Sequence, residues 1–330
     1  MSAPAAAAPA GLTRPDDELR CVVLSGGLAY EREVSLRSGN RCAEALRKAG
    51  VDTTVLDADA GLLAALADDP VDAVLIVLHG EAGEDGSLRS VLELAGIPFV
   101  GTPSGSCRVA WDKPSAKVAA RAAGLHTPDW VALPHSTFRE LGANAVLDLV
   151  VARLGLPLMV KPAQGGSALG VERIGAAGDL PSAMVNCFAY GDTVMIEQFV
   201  AGREIAVSVL DTPDGPRVLP AVEIQPRSGV FDYAARYTAG MTTYHTPARL
   251  TSAEAARVAA AALTVHRTLG LRDLSRTDAI VDAAGEVHFL EVNVSPGMTE
   301  TSMLPMSVAA AGLDLGRTLR DLLRTAASRD

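Results

Sequence analysis

Short apolar runs alternate with amphipathic stretches along the first hundred residues. Cys21-Val-Val-Leu-Ser25 is an apolar run ending at Gly26-Gly27, and Glu33 to Ala49 then places apolar positions at helical spacing. This pattern predicts a strand, a glycine turn and a helix. Val71 to Leu78 predicts a second strand that breaks at His79-Gly80 into the polar loop Glu81-Ala-Gly-Glu-Asp-Gly86. Ser87 to Ala95 is again helical in period, and Ile97-Pro-Phe-Val100 reads as a third strand. Such alternation predicts an α/β fold with an open parallel sheet, where ligands sit off the carboxyl ends of strands.

A second unit starts near Trp111-Asp-Lys-Pro, with a helix expected from Ser115 to Ala123 and strands from Leu158 to Lys161, Thr193 to Phe199 and Glu204 to Leu210. From Gln225 to Thr246 the chain is rich in Gly, Tyr, Thr and Arg and has no clear period, which predicts a mobile loop of the active-site-lid kind. A helix from Ser252 to Leu269 follows. Arg276 to Asp282 and Glu286 to Val294, separated by a glycine-containing turn, then read as a β-hairpin.

Length and composition narrow the possibilities. A chain of 330 residues suits two or three domains, and 48% hydrophobic residues in short, punctuated runs describe a soluble globular protein. The longest purely apolar stretches, such as Ala73 to Leu78, fall far short of the ~20 residues that cross a bilayer. The Ala/Pro-rich opening has neither a basic start nor a long apolar centre, so it is expected to be a disordered tail over residues 1–17 rather than a secretory signal. Cys21, Cys42, Cys107 and Cys187 form no CxxC pair, which favours a reducing cytoplasm. The formal charge of −10 argues against nucleic-acid binding, which needs a basic face. Of 29 basic residues only Lys48, Lys113, Lys117 and Lys161 are lysine. Lysine is a compact point charge suited to a phosphate oxygen, so these positions stand out.

The hairpin carries the clearest chemical signal. Alternation places Arg276 and Asp278 on one face of the first strand, and Glu291 and Asn293 on one face of the second. With the turn at Asp282 to Gly285, Arg276 is expected opposite Glu291, all four side chains clustering on one surface. Two carboxylates and an amide oxygen make a hard-oxygen site suited to magnesium carrying phosphates. The same spacing also describes a solvated hairpin face with one cross-strand ion pair. The loop Ser295-Pro-Gly-Met-Thr-Glu-Thr-Ser302 continues from it, and the Gly297 amide could approach a ligand closely.

Lys113 precedes a helix, and Lys161 ends a strand ahead of Pro162-Ala-Gln-Gly165-Gly166-Ser167. Backbone amides of such a loop can fold over phosphates beside a lysine, although a Gly-Gly-Ser loop is also an ordinary turn. No GxxxxGK[ST] order is present, nor a GxGxxG turn that would pair with Asp57 to bind a dinucleotide. Glu31 is placed to meet a substrate ammonium or, alternatively, to face the macrodipole of the following helix. His79 sits at a strand end, where a structural histidine is the usual alternative. The histidines show no zinc-ligand spacing.

Taken together, Gly26-Gly27 with Glu31-Arg-Glu-Val-Ser35, Leu78-His-Gly80 with Gly83-Glu-Asp-Gly86, Lys113, Lys161-Pro162 and Leu290-Glu-Val-Asn-Val-Ser-Pro-Gly-Met-Thr299 resemble D-alanine:D-alanine ligases in order and spacing, from about Cys21 to the C-terminus. The resemblance implies an ATP-grasp fold of three α/β domains: a substrate-binding domain over 18–112, a central ATP-grasp subdomain over 113–203 and a C-terminal ATP-grasp and metal-binding domain over 204–330. It implies that Lys113 and Lys161 hold phosphates, that Glu197, Val200 and Glu204 line the adenine and ribose pocket, and that Arg236, where the family usually has lysine, reaches the terminal phosphate. Asp278, Glu291 and Asn293 would bind two magnesium ions, with manganese as a substitute. Glu31 would bind the ammonium of the first D-alanine near His79, and Ser302 and Met303 would meet the second. Ser167 and Tyr237 match the hydrogen-bonded partners of Glu31, and Arg276 with the Gly297 amide would stabilise the oxyanion.

The implied reaction joins two D-alanines through an acyl phosphate at the expense of ATP, for peptidoglycan precursor synthesis and hence cell wall and cell shape, in a cytoplasmic homodimer. Tyr237 favours the amide over the ester product. Ala163-Gln164-Gly165-Gly166-Ser167-Ala168 departs from the family's Ser-Arg-Glu-Gly-Ser-Ser, and Leu274-Ser275 before Arg276 and Thr277 after it depart from its commoner small-residue and aliphatic pattern. The rival readings are an ATP-grasp ligase with another second substrate, such as D-lactate, and a non-catalytic nucleotide-binding regulator, against which the full acidic set speaks.

Overall fold

The structure, a computed structural model, describes residues 19–329 apart from the side chain of Tyr237. The expected tail over residues 1–17 lies outside the described residues. Three sheets follow one another along the chain. The first holds β1 (Arg20–Ser25), β2 (Asp52–Asp57), β3 (Ala73–Ile76) and β4 (Phe99–Val100) in the order β2-β1-β3-β4, all parallel. β1 and β3 are buried nearly throughout, as central parallel strands covered on both faces must be. Helix Arg32–Lys48 approaches β1 closely because position 39 is glycine, where a Cβ would collide with the Ser25 side chain.

The second sheet is antiparallel, with β5 (Trp130–Pro134), β6 (Leu158–Pro162), β7 (Glu172–Ile174) and β8 (Thr193–Gln198) in the order β5-β8-β6-β7. Helices Ala143–Leu154 and Leu180–Phe188 close its core through Val146, Leu147, Val150, Ala183 and Met184. The third sheet holds β9 (Arg203–Thr212), β10 (Gly215–Val218), β11 (Val222–Pro226), β12 (Thr242–His245), β13 (Leu274–Val281) and β14 (Val287–Asn293). Its order is β12-β11-β9-β13-β14, and β10 also pairs with β9. Helix Ser252–Thr268, opened by a capping box between Thr251 and Glu254, covers one face. The stretch from Gln225 to Thr246, expected to lack regular structure, carries the short helix Tyr233–Tyr237, capped by Asp232, and the strand β12.

The hairpin register corrects one expectation. Arg276 lies opposite Asn293, and Asp278 opposite Glu291, because a bulge shifts the ladder between Asp278 and Ala279. Ala279 pairs with Phe289, so Leu290 is the extra residue. Without it, Glu291 and Asn293 would fall on the opposite face from Arg276 and Asp278.

Two packing arrangements tie distant segments together. Helix Leu315–Ala327 buries Leu319, Leu322 and Leu323 in the same core as Val23 and Leu75 of the first sheet. Helix Lys113–Ala122 packs Ala116 and Ala120 against Phe289 and Val292 of β14. Among the described residues, no helix is long and apolar enough to cross a membrane.

Candidate functional site

A cavity of about 440 Å³ opens between the second and third sheets, within the range of small-molecule sites. Lys113, Lys161, Glu197, Val200, Glu204, Arg236, Asp278 and Glu291 all line it. Strand pairing accounts for the convergence. Lys161 and Glu197 come from adjacent strands β6 and β8, and Asp278 and Glu291 face one another across β13 and β14.

The cationic wall is organised by Glu197. Its buried carboxylate meets the Lys161 ammonium at 2.5 Å and the Lys117 ammonium at 2.6 Å. Burial would raise this acid, but the two lysines override it and hold it below its ordinary range. Lys117, fully buried, is pushed down to about 8 by loss of solvent, with Lys161 adding repulsion. The sequence reading noted Lys117 and gave it no role, although it stands one helical turn after Lys113, a spacing that puts both on one face. Lys113 donates to the Gly165 carbonyl at 2.7 Å and lies 3.5 Å from Glu291. It thereby ties the glycine loop to β14.

The acidic wall fits the donor set a magnesium ion requires. Burial would raise Glu291, but Lys113, Lys161, Arg236 and Arg276 bring it down to about 2. Glu204 is raised to about 8 by burial and then by Asp278. Asn293 presents an amide oxygen that accepts from the Ser295 amide at 2.8 Å. Among the described residues, no three His, Cys, Asp or Glu side chains form a cluster able to hold a metal. Two carboxylates and one amide therefore leave the remaining positions of a cation to phosphate oxygens and water, as magnesium prefers.

Arg276 grips Asp278 with two parallel bonds, each 2.8 Å, while buried. Burial would lower its guanidinium, and Asp278 holds it above its ordinary range. Arg276 also lines a neighbouring cavity of about 60 Å³ with His79, Ser167, Arg236, Asn293, Gly297, Ser302 and Met303. Arg236 is shared by both cavities. Its guanidinium stacks 4.7 Å from the Phe231 ring centroid, and its Nε is buried without a hydrogen-bond partner among the described residues.

The small cavity is fixed to the first sheet. His79 Nδ1 lies 3.0 Å from the Ser295 carbonyl, Nε2 lies 3.1 Å from the Ser38 hydroxyl, and burial pushes the ring down to about 4. Arg41 donates to the Met298 and Thr299 carbonyls at 2.8 and 2.7 Å. Ser302 caps the loop by accepting from the Thr299 amide at 3.0 Å.

Glu31 takes a different position from these residues. It is buried, makes no cap hydrogen bond to its helix, and lines a separate cavity of about 570 Å³ behind the glycine loop. A Cβ at Gly166 would lie 3.3 Å from Glu31 Oε1 and 3.6 Å from Glu84 Oε1, so the loop passes over both acids. Ser167 and Ala168 sit at φ 55°, a conformation costly for side-chain-bearing residues and frequent at ligand clamps. Ser167 lines the small cavity with Glu84, whose importance the sequence reading missed. Its signal was membership of the polar loop and of the Gly83-Glu-Asp-Gly86 motif, neither of which assigned it a role. The Tyr237 backbone ends its short helix, and its side chain lies outside the described residues.

Known proteins share this architecture. Family profiles described as D-ala D-ala ligase N-terminus and D-ala D-ala ligase C-terminus match residues 61–102 and 119–324. A D-alanine–D-alanine ligase of Anaeromyxobacter is 42% identical over 294 residues, covering 89% of this chain and 92% of that protein. The structure of a Bacillus anthracis D-alanine–D-alanine ligase complexed with ATP aligns with a TM-score of 0.77 at 28% identity, over 94% of this chain and 97% of that one. The VanG D-Ala:D-Ser ligase of Enterococcus faecalis aligns at 0.78 and 28% identity, over 93% and 99%. With matches of this extent across both halves, the chain belongs to the D-alanine–D-alanine ligase family.

Proposed function

We propose that this protein joins two D-alanines to D-alanyl-D-alanine, activating the first as an acyl phosphate at the expense of ATP. The observation that carries the reading is the convergence of Lys113 and Lys161 with Asp278 and Glu291 on one cavity that shares Arg236 with the small cavity of Arg276, Gly297 and Ser302. A carboxylate is a poor electrophile until one oxygen becomes a phosphate leaving group. In this reading Lys113 and Lys161 neutralise the transferring phosphates, Arg236 meets the terminal phosphate, and Asp278, Glu291 and Asn293 hold magnesium, which supplies further charge neutralisation. Arg276 and the Gly297 amide stabilise the oxyanion of the tetrahedral intermediate. Ser302 and Met303 contact the second D-alanine, and Glu31 with the Gly165–Ser167 loop orders the first. Closure of that loop excludes water from the acyl phosphate. Four unpaired, buried cysteines favour a cytoplasmic location, and a homodimer is the expected assembly, checked by sedimentation.

The test combines the protein with ATP, magnesium and, in parallel, D-alanine, L-alanine, or D-lactate plus D-alanine, measuring phosphate release and product mass. D-Alanyl-D-alanine with stoichiometric phosphate is expected from D-alanine alone. A folded protein that binds ATP and yields no dipeptide sinks the substrate assignment. Glu291→Gln removes a charge worth several kcal/mol to phosphoryl transfer, so turnover should fall by more than ~100-fold with the fold intact. Normal turnover in that variant would remove the metal assignment.

A further inference from the structure

Amide formation requires a lone pair on the attacking nitrogen, and an amino acid arrives at neutral pH as its ammonium. A proton must leave before the C–N bond forms. Lys113, Lys161, Arg236 and Arg276 are cationic and suited to phosphate, not to this task. The cavity that Ser302 and Met303 line offers two side chains of the acid–base kind, His79 and Glu84.

His79 is committed elsewhere. Its Nδ1 must carry the proton to bond the Ser295 carbonyl, and its Nε2 is occupied by the Ser38 hydroxyl. Glu84 differs in each respect. It is buried at the end of the short helix Glu81–Glu84 and is the sole carboxylate lining this cavity among the described residues. Its Oε1 accepts from the Gly80 amide at 3.0 Å, and Oε2 makes no hydrogen bond among the described residues. Glu84 also lines the adjoining space of about 20 Å³ with Lys113, Arg276 and Glu291, so it borders both the activated carboxyl group and the incoming amine in the proposed reaction. Buried Arg89 donates to the Gly83 carbonyl and holds the turn that presents it.

We propose that Glu84 is the general base that takes the proton from the amine of the second substrate, an inference that rests on the ligase reading above. One ammonium N–H bond breaks and its proton passes to Glu84 Oε2. The freed pair attacks the carbonyl carbon of the acyl phosphate, and collapse of the tetrahedral intermediate breaks the C–O bond to phosphate, which leaves with that electron pair. The second proton on nitrogen leaves with the phosphate. Burial, reinforced by Glu31 and opposed by the Gly80 amide, Arg276 and Lys113, raises Glu84 to about 7. A base titrating near the working pH is the effective kind.

The decisive variant is Glu84→Gln, whose carbonyl can keep the Gly80 bond. Dipeptide kcat should fall on the order of 100-fold or more, with little change in KM for ATP. Hydroxylamine, largely unprotonated at neutral pH, should still trap the acyl phosphate as a hydroxamate within a few-fold of the wild-type rate. The rise of wild-type kcat through neutral pH should vanish in Glu84→Gln and persist, shifted, in Glu84→Asp. Unchanged dipeptide synthesis, or equal loss of dipeptide and hydroxamate, overturns the proposal, the latter by showing a structural role. Wild-type protein that forms neither product overturns the ligase reading, and the base assignment with it.

Discussion

His79 shows how one buried side chain ties pH to stability. Its ring is depressed from 6.5 to about 4, chiefly by burial. Below 6.5 the unfolded chain takes up a proton that the folded ring refuses. The stability it contributes is therefore present above pH 6.5 and is lost as the pH falls towards 4, with a slope of at most ~1.4 kcal/mol per pH unit. Urea unfolding of His79→Asn at several pH values should show a shallower decline across that window than wild type. An identical slope would remove His79 from the account. Other single residues explain themselves in the fold. Ser275, a departure from the family pattern, bonds His266 Nδ1 at 2.8 Å, and His266 Nε2 reaches Asp211 at 3.2 Å. Thr277, another departure, keeps its hydroxyl buried without a partner among the described residues, and nothing in the structure explains it.

Between elements, helices Arg32–Lys48 and Leu315–Ala327 fit closely. A Cβ at Gly316 would collide with the Ala45 carbonyl oxygen, a backbone atom that cannot swing away. Gly316→Ala should therefore destabilise the protein by roughly 1–3 kcal/mol through overpacking, seen as a lowered denaturant midpoint with unchanged m. A neutral result would mean that the helices separate at little cost. The C-terminal helix was not drawn from the sequence, and β2 was missed because Asp52-Thr-Thr-Val-Leu-Asp57 is an edge strand with polar ends and few buried residues. By contrast β1, β3 and the β13–β14 hairpin were legible, since each strand's alternation or apolar run reports its own face. Register was not. It depends on how two strands meet, and the extra residue Leu290 has no local signature that periodicity could reveal. Glu84 was illegible for a related reason, because nothing in Glu81-Ala-Gly-Glu-Asp-Gly86 says which acid is buried.

At the scale of the whole molecule, the hydrophobic cores divide the chain differently from its sequence order. The first sheet shares one core with Leu210, Leu274, Leu304 and the C-terminal helix, residues far along the chain. Polar ties run the same way, since buried Asp273 accepts from the Gly101 amide at 2.7 Å and from Arg329. The core of the second sheet draws all its buried members from Phe138 to Ile196. A parallel sheet stripped of the helix covering one face would expose a large apolar surface, which a small domain cannot afford. A fragment spanning residues 19–112 should therefore lack cooperative thermal unfolding by circular dichroism, and co-expression with residues 113–330 should restore it. A fragment spanning 124–200 should unfold cooperatively alone. The second sheet thus has a core of its own, and both larger cavities described above lie along its border. Cooperative unfolding of 19–112 in isolation would defeat this partition. The units on either side of the 440 Å³ cavity would then have to be assigned by chain order instead of by shared core.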